Sequence, residues 1–184
     1  MTKTPFVISI SANAGGGKTT ITRELCQKLR NAKALYFDNY EYDKQPDNIC
    51  EWVENGSDPS EWDLSLLVHD LVKLINDESV DYIILDYPFG RQEYPVKDFI
   101  NMTVFIETPL DISLARRIIR DYSESSVDAI INELNFYISR SRRCFTEHNA
   151  NLKSSDLIVD GSLVVDEIVN IIMNEIKKKC LFAV

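Results

Sequence analysis

No apolar run in the chain approaches the ~20 residues that a membrane-spanning helix needs, so a membrane partner is not expected. Positive charge is also scarce: 20 Lys and Arg stand against 29 Asp and Glu, leaving −9 at pH 7. A surface of that sign repels polyanions, which argues against a general nucleic-acid or anionic-membrane role. Any affinity for phosphate must therefore come from a local cluster of donors. Cysteine is sparse and dispersed. Cys26, Cys50, Cys144 and Cys180 show no metal-type or redox-type pairing and read as reduced thiols filling the core. The start, Met1-Thr2-Lys3-Thr4-Pro5, has no signal-peptide character and leads directly into a strand, so the expected location is cytoplasmic. A homodimer is left open.

What is present is an alternation. Short apolar runs at Phe6–Ile10, Ala34–Phe37, Tyr82–Leu85, Thr103–Ile106 and Leu157–Val159 read as buried strands, because each is continuous and rich in β-branched or aromatic residues. Helical patterns lie between them, which predicts an α/β fold with a parallel sheet covered on both faces. Leu64, Leu67, Val68, Leu71, Leu74 and Ile75 form one helical stripe; Val165, Ile168, Val169, Ile172 and Ile176 form another. Thr108-Pro109-Leu110-Asp111 reads as a helix start with a threonine cap, and Ser125 to Asp128 as a capping box opening a helix to about His148. With no repeat, linker or low-complexity tract, residues 1–184 are expected to form one domain. Charge is uneven: residues 36–70 carry ten acids and one lysine, whereas six of nine arginines fall between Arg116 and Arg143.

The chemistry begins after the first strand, in Ala12-Asn13-Ala14-Gly15-Gly16-Gly17-Lys18-Thr19. A triphosphate needs several N–H donors converging on one point, a cation nearby and a helix N-terminus aimed at it. Gly15, Gly16 and Gly17 allow the tight turn, Lys18 reaches the β- and γ-phosphates, Thr19 offers a hydroxyl to Mg²⁺, and the helix from Thr20 adds its positive end. Asn13, Ala14 and Thr20 complete the expected ATP-binding set. Ala12 replaces the usual first glycine of the pattern and is small enough for the loop to survive. Guanine-specific GTPases are disfavoured. Asn151-Leu152-Lys153-Ser154 fails their N-K-x-D stretch, and Asp86-Tyr87-Pro88-Phe89-Gly90 is one residue too long for D-x-x-G.

Phosphoryl transfer to an alcohol needs a carboxylate near the attacking hydroxyl, a Mg²⁺ shell, cations for the transferred group and exclusion of water. Asp38, in Tyr36-Phe37-Asp38-Asn39-Tyr40, is expected at the end of the second strand beside the γ-phosphate. Asp86 follows the apolar run of the third strand as a Walker-B acid does. It is a candidate for Mg²⁺ or for substrate, and Asp38 competes for the metal. On a helix, Arg117 and Arg120 share one face and Arg116 and Arg120 another; a lid carrying them would neutralise the phosphoryl group, with a surface Arg–Asp pair the plainer account of Arg116. Arg91 could clamp a substrate or merely solvate a loop. Tyr40, Tyr42, Trp52, Trp62, Tyr87 and Phe89 gather in the stretches that should border the substrate. His69 and His148 read as structural or surface residues.

These features resemble the uridine kinase-like group of P-loop kinases, which includes phosphoribulokinase and pantothenate kinase relatives. The resemblance rests on Ile8–Thr20, on Phe37-Asp38-Asn39-Tyr40, and on Val104-Phe105-Ile106-Glu107-Thr108-Pro109-Leu110-Asp111 running into Leu114–Asp121. It implies a three-layer, doubly wound, five-stranded parallel sheet of the P-loop nucleoside triphosphate hydrolase fold, with strand order 2-3-1-4-5. It implies ATP with Mg²⁺ as donor, Asp38 as catalytic base, and Arg117 and Arg120 touching phosphates from the lid. The expected activity is phosphorylation of a nucleoside, sugar or vitamin-like alcohol. An acceptor that already carries phosphate is a second reading. A nucleotide-binding regulator or degenerate kinase is a third, suggested by the cation-poor Tyr122-Ser123-Glu124-Ser125-Ser126 after the lid arginines.

Overall fold

The computed structural model describes residues 4–91 and 96–182; the expectation for Met1-Thr2-Lys3 lies outside them. Five parallel strands form one sheet in the order β2-β3-β1-β4-β5, as the resemblance implied. They are β1 (Phe6–Ser11), β2 (Ala32–Tyr36), β3 (Tyr82–Asp86), β4 (Met102–Glu107) and β5 (Leu157–Asp160). The register aligns Ile10 with Asp86 and with Val104, so the carboxyl ends of β1, β3 and β4 finish together. Strand order reverses about β1, which places the ligand crevice of an open α/β sheet at that end.

Seven helices cover the sheet among the described residues: α1 (Lys18–Lys28), α2 (Ile49–Glu54), α3 (Ser65–Ile75), α4 (Leu110–Asp121), α5 (Val127–Phe136), α6 (Arg142–Leu152) and α7 (Val165–Phe182). Both faces are apolar because successive strand residues alternate sides. Val7, Ile83 and Leu85 pack with Leu67 and Leu71 of α3 and with Trp52 and Val53 of α2. Ile8, Ile10, Ile84 and Val104 pack with Ile21 and Leu25 of α1 and with Ile168, Val169, Ile172 and Ile176 of α7. None of the helices is long and apolar enough to cross a membrane.

Three local expectations need correction. β2 begins at Ala32 and ends at Tyr36, so Asp38 is carried on a 3-10 turn, Phe37–Asn39, rather than on the strand. Thr108 does not cap α4; the helix starts after Pro109, and the Thr108 hydroxyl instead donates to the Gly16 carbonyl at 2.8 Å. Ser126, not Ser125, caps α5, accepting from the Ala129 amide at 3.2 Å. The helical path continues through a π-turn, Tyr137–Ser141, into α6 and ends at Leu152, beyond His148.

Candidate active site

The chain leaves β1 at Ser11 and turns through Ala12–Gly17 before α1 begins at Lys18. Gly15 and Gly17 hold φ of 81° and 98°, the left-handed region where a side chain is strained. Gly17 is the residue that caps α1, whose first turn carries no acidic side chain. Its free amides thus point outward with the positive end of the helix dipole. Ala12 is accommodated because its methyl lies 2.8 Å from where a Cβ on Gly16 would stand. A Cβ on Gly15 would overlap the Ser113 carbonyl, so α4 is seated directly on the loop.

Three side chains converge at the loop. Lys18 Nζ lies 3.1 Å from Asp38 Oδ2 and 3.0 Å from Asp86 Oδ1. Asp86, buried at the end of β3, also accepts a 2.6 Å hydrogen bond from the Thr19 hydroxyl through Oδ2. Burial opposes the Lys18 charge, but Asp86 and then Asp38 outweigh it, and the lysine pKa is raised above its ordinary value. The ammonium is therefore retained where phosphate would meet it. The Asp38 side chain, by contrast, is 71% exposed.

A cavity of about 920 Å³ opens over this group. All eight predicted phosphate-loop residues from Asn13 to Thr20 line it, with Asp38 and Tyr40. Its lining comes from both faces of the sheet, so the loop on the central strand divides it. Ile21, Leu163, Val165 and Ile168 belong to the α1–α7 side. Phe37, Trp52, Trp62 and Phe89 belong to the other side and form a cage of edge-to-face and tilted ring pairs with centroids 5.1 to 6.1 Å apart. Tyr42 stands against Trp62, and its hydroxyl donates to the Phe37 carbonyl at 2.9 Å. Tyr40 donates to Asp70 at 3.1 Å; burial and then that carboxylate push its pKa up to about 12, so it stays a neutral phenol. Tyr87, expected at the substrate, is instead enclosed in the core.

Sequence reasoning passed over α6. Cys144, Phe145 and His148 line the cavity, and their i, i+1 and i, i+4 spacing on a helix places Cys144 and His148 on one face. His148 Nε2 lies 3.1 Å from the Pro88 carbonyl, and burial lowers its pKa, which keeps the ring neutral and makes Nε2 the donor. The periodicity was available; the docking of α6 over the crevice was not.

Two predicted side chains are turned elsewhere. Arg91 reaches Asp156 Oδ2 at 2.9 Å, at the amino-terminal end of β5 and away from the crevice, so it does not line the cavity. Arg117 hydrogen-bonds Glu133 on α5 and stands 5.8 Å over the Phe145 ring; it does not line the cavity either. Arg116 and Arg120 do. Further along the same basic segment, Arg140 is held at 2.9 Å by Glu51 and Arg143 at 2.8 Å by Glu147.

The sheet order, the phosphate loop and the Lys18–Asp86–Thr19 cluster define a P-loop kinase. Solved structures agree on the fold. A putative fructose transport system kinase from Silicibacter sp. TM1040 matches with a TM-score of 0.59 at 13% identity, over 84% of this chain and 89% of that one. Deoxyadenosine kinase from M. mycoides matches at 0.51 and 16% identity, over 94% and 100%. No protein-family model matches. In sequence the chain is 31% identical over 147 residues to the uridine kinase of Leuconostoc citreum, covering 65% of this chain and 70% of that one. It is 25% identical over 211 residues to the uridine kinase of Streptococcus agalactiae serotype V, covering 96% and 100%. The chain belongs to the uridine kinase family.

Proposed function

We propose that the protein transfers the terminal phosphoryl group of ATP to a hydroxyl of a small ring-bearing molecule, a nucleoside, sugar or vitamin-like alcohol. The observation that carries this reading is the Lys18 ammonium held between Asp86, within the loop cluster, and Asp38, which is exposed at the edge of the aromatic cage. Amides of residues 13–20 and Lys18 would hold the β- and γ-phosphates. The Thr19 hydroxyl and the Asp86 carboxylate, 2.6 Å apart, are hard oxygen donors of the kind Mg²⁺ takes and would hold it beside the loop. Bound there, the ion would neutralise phosphate charge. Asp38 then orients the acceptor hydroxyl and takes its proton as the oxygen bonds to the γ-phosphorus and the bond to the β-phosphate oxygen breaks. The cage excludes water and stacks on the acceptor ring.

The test is ADP release with a panel of uncharged nucleosides, sugars and cofactor precursors. Acceptor-dependent turnover is expected, reduced at least about a hundredfold in Asp38→Asn while ATP binding persists. Nucleotide binding without turnover on any acceptor would contradict the proposal.

A further inference from the structure

The cavity on the acceptor side of the loop is walled by rings and offers a ligand few polar side chains. Phe37, Trp52, Trp62 and Phe89 form the wall, and α6 adds Phe145 and His148, whose ring lies 6.3 Å from that of Phe89. The polar groups along this surface are largely engaged within the protein. Trp52 Nε1 donates to the Asp58 carbonyl at 2.8 Å, the Tyr42 hydroxyl to the Phe37 carbonyl, the Tyr40 hydroxyl to Asp70 and His148 Nε2 to the Pro88 carbonyl. Trp62 Nε1 has no partner but is enclosed, so the cavity does not reach it. Asp38 remains, which transfer needs for the reacting hydroxyl, with the exposed Gln45. A sugar carries a hydroxyl on nearly every carbon, and each one taken from water needs a partner or is left unsatisfied at a cost. This wall does not supply those partners.

The same wall lacks positive charge. The Lys and Arg side chains that line the cavity, Lys18, Arg116 and Arg120, come from α1 and α4. Lys44, Arg140, Arg142 and Arg143, on the segments that carry the rings, do not line it. Lys44 donates to the Ser60 carbonyl at 2.6 Å, and Arg140 is taken by Glu51. A carboxylate or phosphate on the acceptor would enter an apolar wall beside Asp38, with no Lys or Arg of those segments to meet it, at a desolvation cost that goes uncompensated. We propose that the site takes an uncharged aromatic or heteroaromatic ring bearing its hydroxyl on a short arm, with no sugar. The ring lies against Trp52, Trp62 and Phe89, and the arm reaches Asp38. This rests on the transfer to a hydroxyl proposed above and narrows its acceptor, setting aside sugars, sugar-bearing nucleosides and acceptors that already carry phosphate.

The chain has two tryptophans, and both stand in this wall with ring centroids 6.1 Å apart, so intrinsic fluorescence reports on it without ATP or turnover. The experiment titrates the parent, Trp62→Leu and Trp62→Phe with benzyl alcohol, nicotinyl alcohol, cyclohexylmethanol, uridine, ribose and ribose phosphate. The same compounds are then offered to the parent with magnesium-ATP, and ADP release is followed. The two aromatic alcohols should change the emission saturably, whereas ribose and ribose phosphate should not. Cyclohexylmethanol, of similar size but without a π face, should bind about 2- to 10-fold more weakly than benzyl alcohol. Uridine should bind at least about 5-fold more weakly than nicotinyl alcohol, because its diol goes unpaired. Trp62→Leu should narrow the gap between benzyl alcohol and cyclohexylmethanol, which general loosening of the site would not do, and Trp62→Phe should retain most of it. Ribose, ribose phosphate or uridine binding as tightly as the aromatic alcohols overturns the proposal, and so does an emission that none of the compounds moves. Aromatic alcohols that bind but release no ADP support the ring site and contradict phosphoryl transfer. ADP release with ribose or uridine alone supports transfer and overturns this inference.

Discussion

Replacing Asp156 with asparagine isolates a charge cluster that the fold uses far from the crevice. Asp156 Oδ2 accepts from the Thr103 amide at 2.8 Å, the Thr103 hydroxyl at 2.9 Å and Arg91 at 2.9 Å, while Oδ1 takes Lys179 at 2.9 Å. Partial burial alone would raise its pKa. The Thr103 amide, Lys179, the Thr103 hydroxyl and Arg91 outweigh burial and hold it at about 2, against an ordinary 3.8. At 1.36 kcal/mol per pKa unit this corresponds to roughly 2 kcal/mol of stability, an upper figure because water screens the exposed part of the cluster. The folded pKa is depressed, so the contribution is complete above about pH 4 and is lost as pH falls from there through 2. Urea unfolding at a series of pH values measures it. Asp156→Asn is expected to lose about 2 kcal/mol at pH 7, or about 4–8 °C in midpoint for a chain of this size. The gap between parent and variant should narrow steadily below pH 4. Arg91→Ala should lose a smaller part of the same increment, and little of it in the Asp156→Asn background. A gap that stays constant from pH 6 to pH 2.5, or additive single substitutions, would refute the reasoning.

Two further predictions concern the loop. Gly15→Ala places a side chain at a φ of 81° and against the Ser113 carbonyl, so α4 must lift from the loop. Its stability should fall by about 1–3 kcal/mol, read from the thermal midpoint, and magnesium-ATP binding should weaken with it. Thr19→Val removes the hydroxyl that donates to Asp86 at 2.6 Å. A calorimetric titration of magnesium in the presence of ATP should show a higher magnesium requirement, with the fold unchanged by circular dichroism.

The three central strands β1, β3 and β4 were legible as short β-branched runs, because a parallel strand buried on both faces needs apolar residues at nearly every position; the edge strands β2 and β5, expected to be buried as well, are only partly so, and β2 has no β-branched residue. The α7 stripe was legible for a related reason: Ile168, Val169, Ile172 and Ile176 recur at helical spacing and are buried. The phosphate loop was legible because the chemistry demands glycines, lysine and threonine in fixed order. Helix α2 was not, since Ile49–Glu54 is too short to show a period within an acidic stretch; its start depends on Asn48, whose side chain accepts from the amides of Cys50 and Glu51. The lid arginines show the general limit. Helical periodicity says which residues share a face, but the face turned to the loop is set by the Ser113–Gly15 contact, and that is tertiary. Arg91 failed for the same reason, its partner Asp156 being 65 residues away in sequence.

The central claim is that the Asn13–Thr20 loop, with Lys18 kept charged by Asp86 and Asp38, grips a triphosphate. Isothermal titration of magnesium-ATP into the parent and into Lys18→Ala, both verified as folded, tests it most directly. Saturable one-to-one binding by the parent, weakened at least about a hundredfold in the variant, is the predicted result. Equal affinity in the two proteins, or no heat of binding in the parent, would contradict it.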